Sequence, residues 1–174
     1  MGKGSTVVSF WNLFRRRQTT NIEQLKRLAE SGNTSAQCDL GIIYSFGRGV
    51  TRDFQEAAKW YRRAAEQGDA QAQYNLGIAY DQGHGVTRDL LESFRWFLAA
   101  AEGGHVEAQF NVAVSYGQGK GISMDWIEAF KWIILSDVGG FLKARAVRNV
   151  VVKQMTLQQV QEAERRATVW QPRK

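Results

Sequence analysis

The chain contains 174 residues, of which 44% are hydrophobic and 23% charged, with one proline and one cysteine. This length and composition suit one folded domain or a short repeat array and exclude wholesale disorder, while the single cysteine excludes an internal disulfide framework. No apolar run reaches the ~20 residues of a membrane-spanning helix, and the net charge of +6 raises the question of a nucleic-acid partner.

The positive charge is confined to the two ends of the chain. Residues 1–20 carry four basic residues and no acid, and residues 141–174 carry eight basic and two acidic residues. The middle, residues 21–140, carries 11 basic and 15 acidic residues and is therefore net acidic. An argument from the basic charge thus concerns the ends of the chain and not its middle.

The N-terminal segment, residues 1–20, joins aromatic and aliphatic residues to an arginine cluster. This order is the reverse of that in a secretory signal peptide, so we expect a cytoplasmic protein. Three interpretations stay open: a flexible tail, a segment that lies in the interface of an anionic membrane, and a transit peptide. The residues that would contact the membrane are Phe10, Trp11, Phe14, Arg15, Arg16 and Arg17.

The rest of the chain repeats itself at a spacing of 36 residues. More than ten positions coincide in three copies, which makes a repeat architecture the primary prediction. Among them are Ala36, Ala72 and Ala108; Tyr44, Tyr80 and Tyr116; Trp60, Trp96 and Trp132; and Gly68, Gly104 and Gly140. The copies cover about residues 34–69, 70–105 and 106–141.

Each copy is predicted to form two helices joined by a glycine loop. In the first copy Ala36, Leu40 and Tyr44 are four residues apart, which places them on one face of a helix. The loop contains Gly47 and Gly49, and glycine adopts a positive φ without steric cost. A helix–loop–helix unit is therefore expected three times in succession.

The second helix of each copy is predicted to begin at an Asp-x-x-Glu motif. In the first copy Asp53 and Glu56 form this pattern, which is typical of a capping box at a helix N-terminus. The residues that follow at helical spacing, Ala57, Trp60 and Ala64, form the stripe that we expect to be buried.

The regions that flank the three copies are predicted to be capping helices. Residues 20–31 align with a second helix, and residues 142–170 align with a first helix followed by a last helix. Terminal units of a repeat array shield the core on one side only, so atypical helices are expected there. With a tail at 171–174, the prediction is one all-α domain over 21–170 with about nine helices.

A long motif runs nearly whole through the first copy. Residues 36–68 read Ala-x-x-x-Leu-Gly-x-x-Tyr-x-x-Gly-x-Gly-Val-x-x-Asp-x-x-x-Ala-x-x-Trp-x-x-x-Ala-Ala-Glu-x-Gly. At these residues the chain resembles the Sel1-like repeat family, whose units are similar to tetratricopeptide repeats. The resemblance covers about residues 21–170 and implies a right-handed α-solenoid that serves as an adaptor or scaffold for other proteins. The third copy departs from the pattern at Ala113, Ser136 and Asp137, and we expect the fold to accommodate these changes.

The sequence shows no pattern of residues that indicates catalysis. His84 lies in a glycine loop and His105 starts a helix, positions that are typical of structural polar residues. Cys38 has no histidine near it in sequence and is predicted to be a small apolar core residue. We therefore expect a protein without enzymatic activity, metal, cofactor or small-molecule substrate.

The groove of a solenoid of this kind is lined mainly by first helices, and the resemblance places its candidate residues around the Leu-Gly pair. Asp39, Asn75 and Asn111 would form a polar ladder, since an asparagine amide both donates to and accepts from a peptide backbone. Tyr74 and Phe110 would be aromatic anchors, although the same positions also suit packing between repeats. The full set of candidates is Asp39, Phe46, Tyr74, Asn75, Asp81, Gln82, Phe110, Asn111 and Gln118.

The leading functional hypothesis is an adaptor that binds a peptide or helical segment of another protein in this groove. A second hypothesis is a scaffold docked peripherally on a membrane through residues 1–20. A third is nucleic-acid binding through Lys143, Arg145, Arg148 and Lys153, which lie close together near the C-terminus. For that cluster we favour the interpretation of a solvated capping face over one of nucleic-acid contact.

Overall fold

The computed structural model describes residues 21–173, and within that range the chain forms nine helices and no β-strand. The first helix, α1, covers residues 21–30 of the described part. The others are α2 (Thr34–Phe46), α3 (Phe54–Glu66), α4 (Ala70–Gln82), α5 (Leu90–Glu102), α6 (Val106–Gln118), α7 (Trp126–Val138), α8 (Leu142–Val152) and α9 (Leu157–Val169). The pairs α2–α3, α4–α5 and α6–α7 are the three sequence copies.

From α2 to α8 consecutive helices pack against each other, and the apolar positions of the repeat form the core. Leu40, Leu76 and Val112, one from each first helix, are each 0% exposed. Helix α7 contacts both α8 and α9, so the last two helices close the C-terminal end of the core. The prediction of an all-α solenoid is confirmed.

A polar residue starts each first helix and a glycine ends it. Asn33, Asp69 and His105 are the N-caps, and each side chain accepts a hydrogen bond from the backbone N–H three residues later. The helices end at glycines with φ of 68°, 73° and 64°, a conformation that strains residues with a Cβ. These local signals set the length of α2, α4 and α6.

The second helices are capped by aspartates, but the predicted capping box is only half formed. Asp53 accepts from two backbone N–H groups of the first turn of α3, and the equivalent aspartates of α5 and α7 do the same. The glutamate half of the prediction is wrong, because Glu56 pairs with Lys59 at 3.1 Å and its counterparts also pair with a cation one turn later. A charged donor holds a carboxylate more strongly than a neutral backbone amide does.

The glycine of the Leu-Gly pair lets the two helices of a copy approach closely. A Cβ placed on Gly77 would lie 2.6 Å from the ring of Phe97, and the first copy shows the same close approach. In the third copy Ala113 replaces the glycine, and Ile133 stands where the other copies have an aromatic residue. Ala113 and Ile133 are buried in one cluster. The smaller Ile133 side chain therefore leaves room for the methyl group that Ala113 adds.

The second glycine of each internal loop touches the preceding copy. Gly85 has a φ of +74°, and a Cβ there would overlap the backbone carbonyl of Phe54 at the start of α3. Gly121 has a φ of +79° and meets the carbonyl of Leu90 in the same way. Each loop is thus part of the interface between copies.

The other two residues at which the third copy departs from the repeat pattern, Ser136 and Asp137, also form specific contacts. Ser136, which is 0% exposed, donates a hydrogen bond to the carbonyl of Val106 at 2.8 Å. Asp137 pairs with Arg145 of α8 at 2.9 Å. A buried hydroxyl that finds an acceptor avoids the cost of desolvation, and the fold accommodates both changes as expected.

The C-terminal segment folds back onto the second and third copies. The ring of Trp170 lies edge-on to Trp132, with centroids 5.9 Å apart. Arg173 then pairs with Glu102 at the end of α5, with an N–O distance of 2.7 Å. These contacts fasten α9 to the body of the solenoid.

Candidate binding face

Two cavities open at the junctions between copies, on the surface formed by α2, α4 and α6, which we call the first-helix face. The first junction cavity lies between the first and second copies and has a volume of about 350 Å³. Its walls come from the end of α2, the start of α3, α4 and the loop after α4. Among its lining residues are Ser45, Phe46, Arg52, Phe54, Tyr61, Asn75, Ile78, Gln82 and His84.

The first junction cavity is mainly apolar, with polar groups at defined places. The hydroxyl groups of Ser45 and Tyr61 are hydrogen-bonded at 3.1 Å. The rings of Phe54 and His84 are stacked with centroids 4.4 Å apart, and the guanidinium of Arg52 lies 5.2 Å from the Phe54 centroid. Since no lining residue is acidic, the cavity combines apolar contact with positive charge.

The second junction cavity lies one repeat further on and is chemically different. Its volume is about 230 Å³. Lys120 occupies the position of His84, Asp81 occupies the position of Ser45, and the two charged groups form an ion pair at 2.5 Å. The charge of this cavity is therefore neutralised within the protein.

Two of the three residues of the predicted polar ladder line the cavities. Asn75 lines the first junction cavity and Asn111 the second. The side-chain oxygen of Asn75 accepts a hydrogen bond from Gln71 at 3.2 Å, and its NH₂ group makes no hydrogen bond with the described residues. The Asn75 amide therefore keeps donors for a ligand.

The two predicted aromatic anchors pack within the protein. Tyr74 stacks on His105 with ring centroids 4.5 Å apart, and the ring centroids of Phe110 and Phe141 lie 5.2 Å apart. Both rings are only partly buried, and Tyr74 also lines the second junction cavity. Phe46 is different, because it is 67% exposed at the mouth of the first junction cavity. It is the predicted aromatic residue with the most surface to offer a partner.

The other predicted residues divide between the cavities and open solvent. Gln82 lines both cavities, and Asp81 is paired as described. Asp39 and Gln118 are exposed on α2 and α6 and line neither cavity. Their role in binding stays a prediction.

Sequence reasoning missed the residues that the loops and second helices contribute. Arg52, Phe54 and His84 all line the first junction cavity, yet none belongs to a first helix. The 36-residue spacing held the signal, since His84 aligns with Lys120 in the next copy. Comparing equivalent positions would have marked the loop as the place where the copies differ.

His105 caps α6 as a neutral ring. Its Nδ1 accepts from the N–H of Ala108 at 3.3 Å, and its Nε2 lies 3.3 Å from the side-chain oxygen of Gln71, so the proton belongs on Nε2. Burial lowers the pKa of His105, against the opposing effects of Glu107 and Asp69. Protonation would remove the acceptor that caps the helix.

We therefore expect stability to fall when His105 is titrated. Between the lowered native-state pKa of His105 and the unfolded-state value of 6.5, the unfolded chain binds more protons than the native state, so the free energy of unfolding falls as the pH falls through this window. The variant His105→Asn keeps a cap like Asn33 but does not titrate. Urea unfolding between pH 7.5 and 5.5 should show a smaller loss for the variant; equal losses would contradict the assignment.

The basic residues near the C-terminus are partly engaged in ion pairs. The four candidates for nucleic-acid contact lie on α8 and its C-cap. Arg145 and Arg148 both pair with Asp137, at 2.9 and 3.6 Å. Lys143 lies 6.0 Å from the ring centroid of Phe141. The cluster thus helps to hold the capping unit together.

The remaining candidates are a reactive cysteine, a metal site and a membrane contact. Burial raises the pKa of the Cys38 thiol to about 12, which keeps it neutral. Within residues 21–173 no three metal-ligating side chains are grouped, and no helix is both long and apolar enough to cross a membrane. The membrane candidates Phe10, Trp11, Phe14, Arg15, Arg16 and Arg17 lie outside the described residues.

Comparison with known families accounts for the repeated helix pairs. The Sel1 repeat model matches residues 34–69, 70–105 and 106–136, which is more than half of the chain. The chain belongs to the Sel1-repeat family. Sel1 repeats generally mediate interactions between proteins, and their helical scaffold is typically non-enzymatic.

Two solved structures are similar to this Sel1-repeat chain. One is a protective antigen of uropathogenic Escherichia coli with an SLR fold; the TM-score is 0.79 with 34% identity, over 86% of this chain and 32% of the antigen. The other is a Sel1 repeat protein from Oxalobacter formigenes; the TM-score is 0.69 with 36% identity, over 74% of this chain and 97% of that protein.

A curated relative shares one short stretch with the Sel1-repeat chain. The secretory immunoglobulin A-binding protein EsiB of Escherichia coli O6:H1 is 48% identical over 42 residues, which is 24% of this chain and 9% of EsiB. The matched stretch is thus less than a tenth of EsiB, and the chain covers about a third of the antigen.

Proposed function

We propose that this Sel1-repeat protein is a non-enzymatic adaptor whose first-helix face binds a segment of another protein. The observation that carries the proposal is the pair of junction cavities, which recur one repeat apart and each include an asparagine at the same position, Asn75 and Asn111. A segment laid along this face would meet one amide and one cavity at each of the two junctions.

The two kinds of contact have different roles in this proposal. An amide hydrogen bond contributes only about 0.5–1.5 kcal/mol net, so the asparagines fix the position and direction of the segment. Apolar side chains that enter a cavity contribute more, because each buried side chain of medium size gains about 1.5–3 kcal/mol. Most of the binding energy is therefore expected to come from side chains in the cavities. The asparagines are expected to set the position of the segment along the repeats.

Replacing both Asn75 and Asn111 with alanine is expected to weaken binding roughly tenfold to a hundredfold without unfolding the protein, since two lost amide hydrogen bonds cost about 1–3 kcal/mol together. Neither residue belongs to the buried core, although Asn75 is hydrogen-bonded to Gln71 and Asn111 to Tyr74. The free energy of unfolding should therefore fall by no more than about 0.5–1.5 kcal/mol for each lost hydrogen bond. The measurement is fluorescence polarisation with labelled peptides selected on the full chain from a random 16-residue display library. Urea unfolding gives the stability.

Asn149→Ala is the matched control, since Asn149 is an exposed asparagine on α8 that lines neither cavity. It should bind the selected peptides like the unmodified protein. If the double variant binds as tightly as this control, or if no peptide binds saturably, the proposed function is wrong.

The absence of catalysis is part of the proposal. It is supported by the neutral thiol of Cys38 and by the structural roles of the two histidines, since His105 caps a helix and His84 stacks on Phe54. Membrane docking through residues 1–20 and nucleic-acid binding through α8 stay predictions, because no observation on the described residues favours them.

A further inference from the structure

Two arginines near the first junction cavity have no acidic partner among residues 21–173. Arg52 lines the cavity, whereas Arg48 lines a neighbouring pocket and lies over Phe46 at the cavity mouth. Arg48 and Arg52 are both exposed and form no ion pair with residues 21–173. Residues 1–20 contain no acid either. The guanidinium of Arg48 lies 5.0 Å from the ring centroid of Phe46, and that of Arg52 lies 5.2 Å from that of Phe54.

These aromatic contacts hold Arg52 in the cavity wall and Arg48 beside Phe46 at the cavity mouth. A guanidinium over a ring keeps its N–H donors available at its edge, while the ring restricts the motion of the long side chain. Less conformational entropy is then lost when a ligand binds. The planar donor set of arginine matches a carboxylate in particular.

The equivalent arginine of the next copy is engaged differently. Arg88 aligns with Arg52, and its Nε donates to the backbone carbonyl of Asp81 at 2.8 Å. The carboxylate of Asp81 is itself paired with Lys120. At the first junction Ser45 and His84 replace this charged pair. Of the two cavities, the first therefore has the uncompensated positive charge.

The size of the first junction cavity fits one large apolar side chain. Its volume is about 350 Å³, within the range of ligand pockets in proteins. An apolar cavity of about 150 Å³ already holds benzene. Phe46 and Ile78 provide apolar wall, and the exposed ring of Phe46 stands to gain the most from being covered.

We propose that the first junction cavity takes a large apolar side chain of a partner segment whose neighbouring residues are acidic, with Arg52 and Arg48 binding the carboxylates. This inference rests on the proposed function and names the partner's chemistry. Residues 1–20 of the chain itself are a poor match, because they would bring Arg15, Arg16 and Arg17 against two arginines.

The test uses the peptides selected from the random library on the full chain. We expect them to be enriched in Asp and Glu on both sides of one aromatic residue or leucine. Arg52→Glu should weaken their binding at least about tenfold, since it replaces attraction by repulsion. Arg88→Glu, the same charge change one repeat later, should weaken binding less than about twofold because Arg88 is tied to the backbone.

Two further arms separate the charge from the apolar contact. Phe46→Ala should also weaken binding about tenfold, as expected when a wall of a hot-spot pocket is removed. Peptides with lysine in place of each acid should bind the Arg52→Glu variant better than the unmodified protein. Thermal unfolding confirms that each variant is folded, and all three changed residues are partly or fully exposed.

The outcomes distinguish this inference from the proposed function. The inference is overturned if the selected peptides have no acidic excess, or if Arg52→Glu and Arg88→Glu weaken binding equally. Even then, weaker binding of the peptides by the Asn75/Asn111 variant would still support the proposed function. A competition experiment with a synthetic peptide of residues 1–20 gives a further outcome. If this peptide displaces the acidic peptides at a lower concentration than an unlabelled acidic peptide does, the chain's own segment is the occupant of the cavity and the inference is wrong.

Discussion

Gly85→Ala is expected to destabilise the protein by roughly 3–5 kcal/mol, the largest effect of any single methyl group that we anticipate. Two costs combine at this position. The φ of +74° strains any residue with a Cβ, at about 1–2 kcal/mol, and the new methyl group would overlap the carbonyl of Phe54. Backbone cannot move aside as a flexible side chain can, so the loop must leave the preceding copy.

Gly68→Ala separates the two costs. Gly68 also has a positive φ, +91°, but apart from its own chain neighbours no atom lies within 4 Å of the place that a Cβ would take. Only the conformational strain of about 1–2 kcal/mol applies there. Urea unfolding of both variants measures the difference, and equal losses of stability would show that the contact with Phe54 has no energetic importance.

Gly77→Ala is expected to destabilise the protein by about 1–3 kcal/mol, the usual cost of overpacking a core. The Cβ would lie 2.6 Å from the Phe97 ring, which is buried and cannot rotate away. This loss should appear although alanine is a better helix former than glycine by about 1 kcal/mol. Thermal or urea unfolding measures it directly.

The third copy suggests how to relieve this overpacking. Adding Phe97→Ile to Gly77→Ala recreates the pair found at Ala113 and Ile133. The double variant should therefore be more stable than the sum of the two single losses predicts, by about 0.5–3 kcal/mol for residues in contact. Additive effects in the double-mutant cycle would mean that the two positions do not compensate each other.

Much of the fold could be predicted because the repeat places its signals locally. Apolar spacing and N-caps such as Asp53 act within one helix, so their effect can be inferred from neighbouring residues. The capping box failed in its second half because Glu56 has a competing cation, Lys59, one turn away. Side chains with several accessible partners are the ones that sequence reasoning assigns least well.

The binding face was predictable only in outline. The positions of Asn75 and Asn111 follow from helical spacing, but the contents of the cavities depend on contacts across the junctions. Whether an arginine faces a ring, as Arg52 does, or a carbonyl, as Arg88 does, is decided by residues from another copy. Tyr74 likewise became a stacking partner of His105 rather than a free anchor.

The close approach of each loop to the preceding copy also bears on how such arrays change length in evolution. Gly85 meets the carbonyl of Phe54 as Gly121 meets that of Leu90, so the two internal boundaries share the same backbone contact. Duplication or loss of one 36-residue unit joins surfaces that already fit, and no new interface has to arise. The two solved relatives do differ in length, since this chain covers 97% of one and 32% of the other. The number of repeats in an array can then change without altering the backbone contact between neighbouring units.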